Sequence, residues 1–160
     1  MQPPDLIPDI QFQLLPKSVE AFRYAFAAKR AALGRYIIER WGWDEALQAQ
    51  IHQIHFDEKP FFKIMQAGHD AGTLSLMRLG DHIRFGEFYL FPEFQGKGLG
   101  TRVLRHCLAL ADAERMPVRL EHLKWNPVGA LYRRHGFEVI GETEVHWFME
   151  RPPPGASKNE

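Results

Sequence analysis

Seven consecutive residues, Gln95, Gly96, Lys97, Gly98, Leu99, Gly100 and Thr101, place three glycines, a lysine and a hydroxyl at the mouth of a helical pattern. Glycine is costly in a helix, so this spacing needs a return. The first turn of a helix carries N–H groups with no intrahelical partner and the positive end of the helix dipole. Glycines let phosphate oxygens approach those groups without a Cβ in the way. Thr101 adds a hydroxyl donor, and Lys97 and Arg102 add charge. Further along, "NPVGALYRRHGF" offers Asn126, which suits a helix cap or a ligand contact, and Tyr132, which suits proton donation. Glu87 sits among Phe85, Phe88 and Tyr89. A carboxylate in that setting can have a raised pKa and act as a base, or it can pair with Arg84 or Lys63. Trp41 and Trp43 bracket Gly42 ahead of Asp44 and Glu45. Aromatic walls with carboxylates suit a cationic amine, and the same residues suit a helix corner with Asp44 as its cap.

Two common phosphate motifs are excluded. Lys97 lies between glycines with no Ser or Thr after it, unlike a P-loop. The three glycines alternate evenly, unlike the dinucleotide fingerprint.

The elements that must hold these residues follow from periodicity. "IQFQLL" alternates as a first strand. From Ser18 to Trp41 the repeat is helical, with Ser18 as cap, Val19, Phe22, Phe26, Leu33, Ile37 and Ile38 as the apolar set, and Gly34 as a weak point. A second helix follows Asp44, with Leu47, Ile51 and Ile54 as its apolar face. "PFFKIMQ", "AGTLSLMRL" and "DHIRFGEFYLF" then read as three strands joined by tight turns. After the glycine loop comes a helix from Thr101 to Glu114, facing Val103, Leu104, Cys107, Leu108 and Ala111 inward. "PVRLEHLKW" is a buried-type strand, Asn126 to His135 a short helix ended by Gly136, and "FEVIGE" and "VHWFMER" are closing strands. The order βααβββαβαββ predicts an α/β mixed sheet with helices on its faces, spanning residues 10–151 between flexible tails at 1–9 and 152–160.

Bulk properties narrow the partners. The 160 residues suit one domain, and 20 basic residues balance 20 acidic ones, so no global field favours nucleic acid or an anionic membrane. Cys107 is the single cysteine, which excludes an internal disulfide and fits a reducing, cytoplasmic setting. No secretory signal or membrane-spanning run is read. His52 and His55 stand at i and i+3 without a third ligand at motif spacing, so no metal is expected.

The sequence resembles the GNAT N-acetyltransferase superfamily. "LFPEFQGKGLGTRVL" is similar to its loop signature, Q/R-x-x-G-x-G/A, through Gln95, Gly98 and Gly100. "NPVGALYRRHGF" is similar to its second signature through Asn126, Leu131, Tyr132 and Gly136. The resemblance covers about nine-tenths of the chain, Ile10 to Arg151. It implies a mostly antiparallel mixed sheet with one splayed strand pair, about four helices, and acetyl-coenzyme A as cosubstrate. It further implies that Gln95 to Thr101 bind the pyrophosphate and that Leu90, Phe91 and Asn126 contact the pantetheine arm. The N–H of Leu90 would polarise the thioester carbonyl, Tyr132 would protonate the leaving thiolate, and a small-molecule or peptide primary amine would be the acceptor. A homodimer is common in the family. The family's strand-four glutamate falls nearer Arg84, on the opposite parity from Glu87, and this chain departs there. A non-catalytic acyl-coenzyme A-binding module on the same scaffold is the alternative.

Overall fold

In the computed structural model, which describes residues 1–155, the chain runs β1 (Ile10–Leu14), α1 (Val19–Trp41), α2 (Glu45–Glu58), β2 (Phe62–Gln66), β3 (His69–Arg78), β4 (Ile83–Leu90), a 3-10 turn (Pro92–Phe94), α3 (Leu99–Ala113), β5 (Val118–Leu123), α4 (Gly129–Arg134), β6 (Glu138–Glu142) and β7 (His146–Arg151). The strands form one mixed sheet in the order β1-β2-β3-β4-β5-β7-β6, with β4 and β5 parallel and every other pair antiparallel. This is the element order that the periodicity predicts. Residues 156–160, the end of the expected C-terminal tail, lie outside the described part. The first nine residues make specific contacts: Asp5 accepts from the Phe12 N–H, Leu6 bridges Ile10, and Asp9 pairs with Arg102 on α3.

One face of the sheet packs on α3 and α4. Val103, Leu104, Cys107, Leu108 and Ala111 enter that core as their spacing predicts, joined by Tyr132 and Phe137. The 15 residues of α3 bury one apolar stripe and leave the charged face out. Cys107 lies within this core, and burial pushes its thiol up to about 12, so it is a packing residue.

The other face carries α1 and α2, and here the expected apolar faces are corrected. α1 buries Ala21, Ala25, Ala28, Leu33 and Ile37, whereas Val19 and Ile38 are exposed. Its small residues let the helix lie close on the strands. The larger Phe22 and Phe26 turn aside to meet α2. α2 in turn buries His52 and Phe56, while Leu47 and Ile54 are 49% and 56% exposed. Ring packing among Phe22, Phe26, His52, Phe56 and Phe61 outweighs aliphatic spacing in choosing that face. Gly34 neither breaks nor splits α1, which stays helical to Trp41. Ser18 and Asp44 cap as read, accepting from the Ala21 and Leu47 N–H groups.

His52 carries a pH prediction. Its ring is fully buried and neither nitrogen has a hydrogen-bond partner. Burial, helped by the nearby charge of Lys29, lowers its pKa from 6.5 to about 4. The folded value lies below the unfolded one, so the unfolded chain binds more protons between those pH values. Stability is therefore full above pH 6.5 and falls as pH drops toward 4, by about 3 kcal/mol in all. Denaturant midpoints measured from pH 7 to pH 4.5 should fall for the native chain and fall less steeply for His52→Leu, which keeps only the smaller contributions of His122 and His146. Equal slopes for the two proteins would refute this assignment.

Candidate active site

The site begins where β4 and β5 part. They pair only at Ile83–Val118 and Arg84–Arg119, after which each strand continues without the other. Parallel strands that stop pairing leave N–H and C=O groups in need of a partner. Phe91 donates its N–H to Ala71 O on β3, at 3.0 Å. By strand alternation, the backbone groups of Leu90 point the other way, into the opening. The Phe91 amide is thus spent within the sheet and is not offered to a ligand, which corrects its expected role. The Phe91 ring packs edge-on against Tyr24.

A bulge in β4 decides what faces the opening. Glu87 has φ +46, and the register to β3 shifts there. Thr73 secures the bend, its hydroxyl donating to Glu87 O at 2.8 Å. The extra residue reverses side-chain parity. Phe85, Phe88 and Leu90 pack toward the α3 core, and Glu87 and Tyr89 turn to the α1/α2 side. The chain also crosses tightly here: a Cβ on Gly72 would lie 2.0 Å from Tyr89 O, so β3 must carry glycine opposite β4.

Two cavities meet at this opening. On the α3 side, a cleft of about 390 Å³ is lined by Tyr89, Leu90, Gln95, Gly96, Gly98, Gly100, Thr101 and Asn126, among others. On the α1/α2 side, a cavity of about 290 Å³ includes Lys29, His55, Lys59, Glu87, Glu121 and His146 in its wall. A gap of about 30 Å³, lined by Glu87, Tyr89, His122, Asn126 and Tyr132, lies between the splayed strands, and Tyr89 borders all three spaces.

The glycine loop gives the cleft its electrostatics. α3 starts at Leu99, two residues earlier than the periodicity predicts, with Gly98 as its cap at φ +83 and no side-chain hydrogen bond over its first turn. Arg102 N–H makes the first helical bond, to Gly98 O. The N–H groups of Leu99, Gly100 and Thr101 precede that bond and have no helical partner. Gln95 braces the loop, its side-chain amide donating to Leu90 O at 2.8 Å. The Leu99 side chain enters the core and Lys97 is exposed, and neither lines the cleft. Arg102 is held by both oxygens of Asp9 and lends no free charge to the loop. Arg134 does border the cleft.

Asn126 does not cap α4. Its side-chain oxygen accepts from the Val128 N–H, at 3.2 Å, in a turn ahead of the helix, which begins at Gly129. Tyr132 packs its ring against Phe85, His122 and Phe137 and borders the gap. Burial raises the pKa of its hydroxyl, which stays protonated at neutral pH.

Glu87 is corrected in its ionisation. Burial would raise its pKa. His55 Nδ1 at 3.3 Å and Lys59 Nζ at 3.0 Å, both on Oε1, more than offset that and hold the carboxyl well below the usual range. Neither Arg84 nor Lys63 is its partner: Arg84 faces Glu121 and Lys63 faces Asp70. Trp43 lies outside the cavity, against Phe26 and Arg30, whereas Trp41 lines it. Lys29, Lys59, Glu121 and His146 are cavity residues that sequence reasoning missed. The i, i+4 spacing from His55 on α2 to Lys59, the residue that caps its C-terminus, was the available signal for one of them. His52 and His55 diverge, one into the aromatic core and the other to Glu87. Among the described residues no helix is long and apolar enough to cross a membrane.

An unpaired strand edge thus leads to an uncapped, glycine-lined helix start. Residues 57–139, just over half the chain, match the family model for the acetyltransferase (GNAT) domain, and the chain belongs to that family of enzymes. The fold agrees with solved structures. The PaiA N-acetyltransferase from Thermoplasma acidophilum, in complex with coenzyme A, is 17% identical with a TM-score of 0.69, over 89% of this chain and 98% of that one. The ribosomal-protein-S18-alanine N-acetyltransferase from Escherichia coli is 18% identical with a TM-score of 0.63, over 94% and 98%. An acetyltransferase from Streptococcus agalactiae is 15% identical with a TM-score of 0.62, over 89% and 98%. A comparison with curated protein sequences yields no match.

Proposed function

We propose that this enzyme transfers the acetyl group of acetyl-coenzyme A directly to a primary amine, in the cytoplasm. The carrying observation is the two-residue pairing of β4 and β5, which opens onto the uncapped start of α3. The residues present fit the cosubstrate. Three partnerless N–H groups and Arg134 suit a diphosphate, and the Leu90 edge suits an amide-bearing arm. Bound there, acetyl-coenzyme A would supply a thioester carbonyl open to attack by an amine.

The chain's own groups then have separable tasks. The Leu90 N–H donates toward the carbonyl oxygen and stabilises charge developing on it. The Tyr132 hydroxyl donates toward the departing sulfur. Glu87, ionised and paired, is a poor proton carrier. Its Oε2, buried without a hydrogen-bond partner, instead accepts from the amine and orients it. The proton lost by the amine passes to a neutral imidazole of the cavity wall. His122 and His146 both have pKa values lowered by burial, and both line the cavity.

Thermal-shift and calorimetric titrations test the cosubstrate. Coenzyme A and acetyl-coenzyme A should stabilise the protein, and ATP and NAD should not. Thiol release over an amine panel tests the transfer. Binding without turnover on any amine would make the scaffold an acyl-coenzyme A sensor instead.

A further inference from the structure

The charges around the α1/α2 cavity do not balance. Glu87 is engaged by Lys59 and His55, and Glu121 faces Arg84 at 3.6 Å. Each carboxylate of the wall thus has its cation. Lys29 is left over. It is 6% exposed, it lines the cavity, and among the described residues it makes no hydrogen bond or ion pair. It sits on the buried face of α1 with Ala25, Ala28 and Leu33, where an apolar residue would pack without penalty. Burying an unpaired ammonium is expensive. Burial lowers its pKa, Glu87 opposes this, and Lys59 adds to it. The pull of Glu87 repays only part of that cost, so the rest of the return lies in what enters the cavity.

We propose that the acceptor is a small primary amine bearing a carboxylate, an amino-acid-like molecule, whose anionic group pairs with Lys29 Nζ. The inference rests on the acetyl-transfer reading above and names the acceptor class for that site. The cavity of about 290 Å³ equals roughly ten water volumes, which suits such a molecule. Glu87 Oε2 serves the amine end and Lys29 the acid end. A polyamine brings only positive charge to a wall whose unpaired charge is already positive.

The test uses matched amines: α-amino acids, their methyl esters, the corresponding decarboxylated amines, a polyamine, and a peptide with an acidic second residue. Binding is measured by calorimetry with and without coenzyme A, and transfer by thiol release. The free amino acids should bind at least about tenfold more tightly than their esters or decarboxylated forms, the effect of one buried charge-assisted contact. Lys29→Met should erase that preference through KM, Lys29→Arg should keep part of it, and both should retain coenzyme A affinity. Without ligand, Lys29→Met should melt at a higher temperature than the native protein. Preference of the native protein for esters, polyamines or the acidic peptide overturns the proposal. So does a Lys29→Met protein with unchanged KM for the amino acid, or one that melts lower. The arm without coenzyme A decides the anion site even if coenzyme A itself fails to bind, an outcome that would sink the acetyl-transfer reading instead. The native panel decides it if a variant does not fold.

Discussion

Gly98→Glu is expected to lower coenzyme A affinity by at least about a hundredfold while the protein stays folded. Gly98 caps α3 at φ +83, and a Cβ built there meets nothing within 4 Å. The cost to the fold is left-handed strain for a side-chain-bearing residue, about 1–2 kcal/mol. The cost to binding is larger. A carboxylate at the helix start satisfies the free N–H groups and the dipole itself, so it competes for the groups a diphosphate would use, and it repels that diphosphate directly. Two lost charge-assisted contacts amount to about 3 kcal/mol or more, which sets the hundredfold figure. Gly98→Ala separates the two effects, because it carries the strain without the charge. It should lose only a few-fold in affinity and melt at a temperature close to that of the Glu variant. Calorimetric titration checks both, with circular dichroism as the control for folding. A Glu variant that binds within threefold of the native protein would remove the diphosphate from this loop.

The elements and their order were legible in the sequence because period and punctuation agree: strands alternate, α3 repeats every three to four residues, and glycine or a cap stands at most boundaries. The glycine loop was legible because few other uses explain glycine at a helix start. What stayed hidden depends on parity and on neighbours distant in sequence. The bulge at Glu87 reverses the face of the second half of β4, and no local pattern marks it, since the left-handed residue is not glycine. Glu87 therefore read as out of step with the family, while in the fold it faces the cavity. Its partners His55 and Lys59 lie about thirty residues upstream, and only the docking of α2 on the sheet brings them within reach. A raised pKa was the natural reading for a carboxylate among aromatics, and the Lys59 ammonium and the His55 ring nitrogen on Oε1 reverse it. Lys29 is the clearest case. In a helical wheel it reads as one more solvated lysine, and only burial without a partner singles it out.

Tyr132→Phe is expected to lower kcat by about a hundredfold or more, with little change in coenzyme A affinity or stability. The side chain has two separable parts. Its ring packs on Phe85, His122 and Phe137 within the α3-side core, and phenylalanine keeps those contacts. Tyr132 borders the gap between β4 and β5, and the proposed role places its hydroxyl there, where the sulfur of the cosubstrate would leave. Because burial raises the phenol pKa, the hydroxyl is a donor across the working pH range and does not ionise in the ground state. Proton donation to a leaving group contributes ~10²–10⁴-fold, and a small site that excludes water offers no ready substitute. The loss should therefore appear in kcat and in kcat/KM together, as for a contact made only in the transition state. It should also shrink with an acyl donor whose thiol leaving group is more acidic, since such a group departs without needing the proton. Single-turnover rates with the two donors, on the native and variant proteins, measure that interaction directly. If the variant loses the same factor with both donors, the hydroxyl is orienting the substrate and is not protonating the sulfur. If it loses nothing with either, the donor is elsewhere in the gap, and His122 is then the side chain to change, since its ring borders both the gap and the cavity.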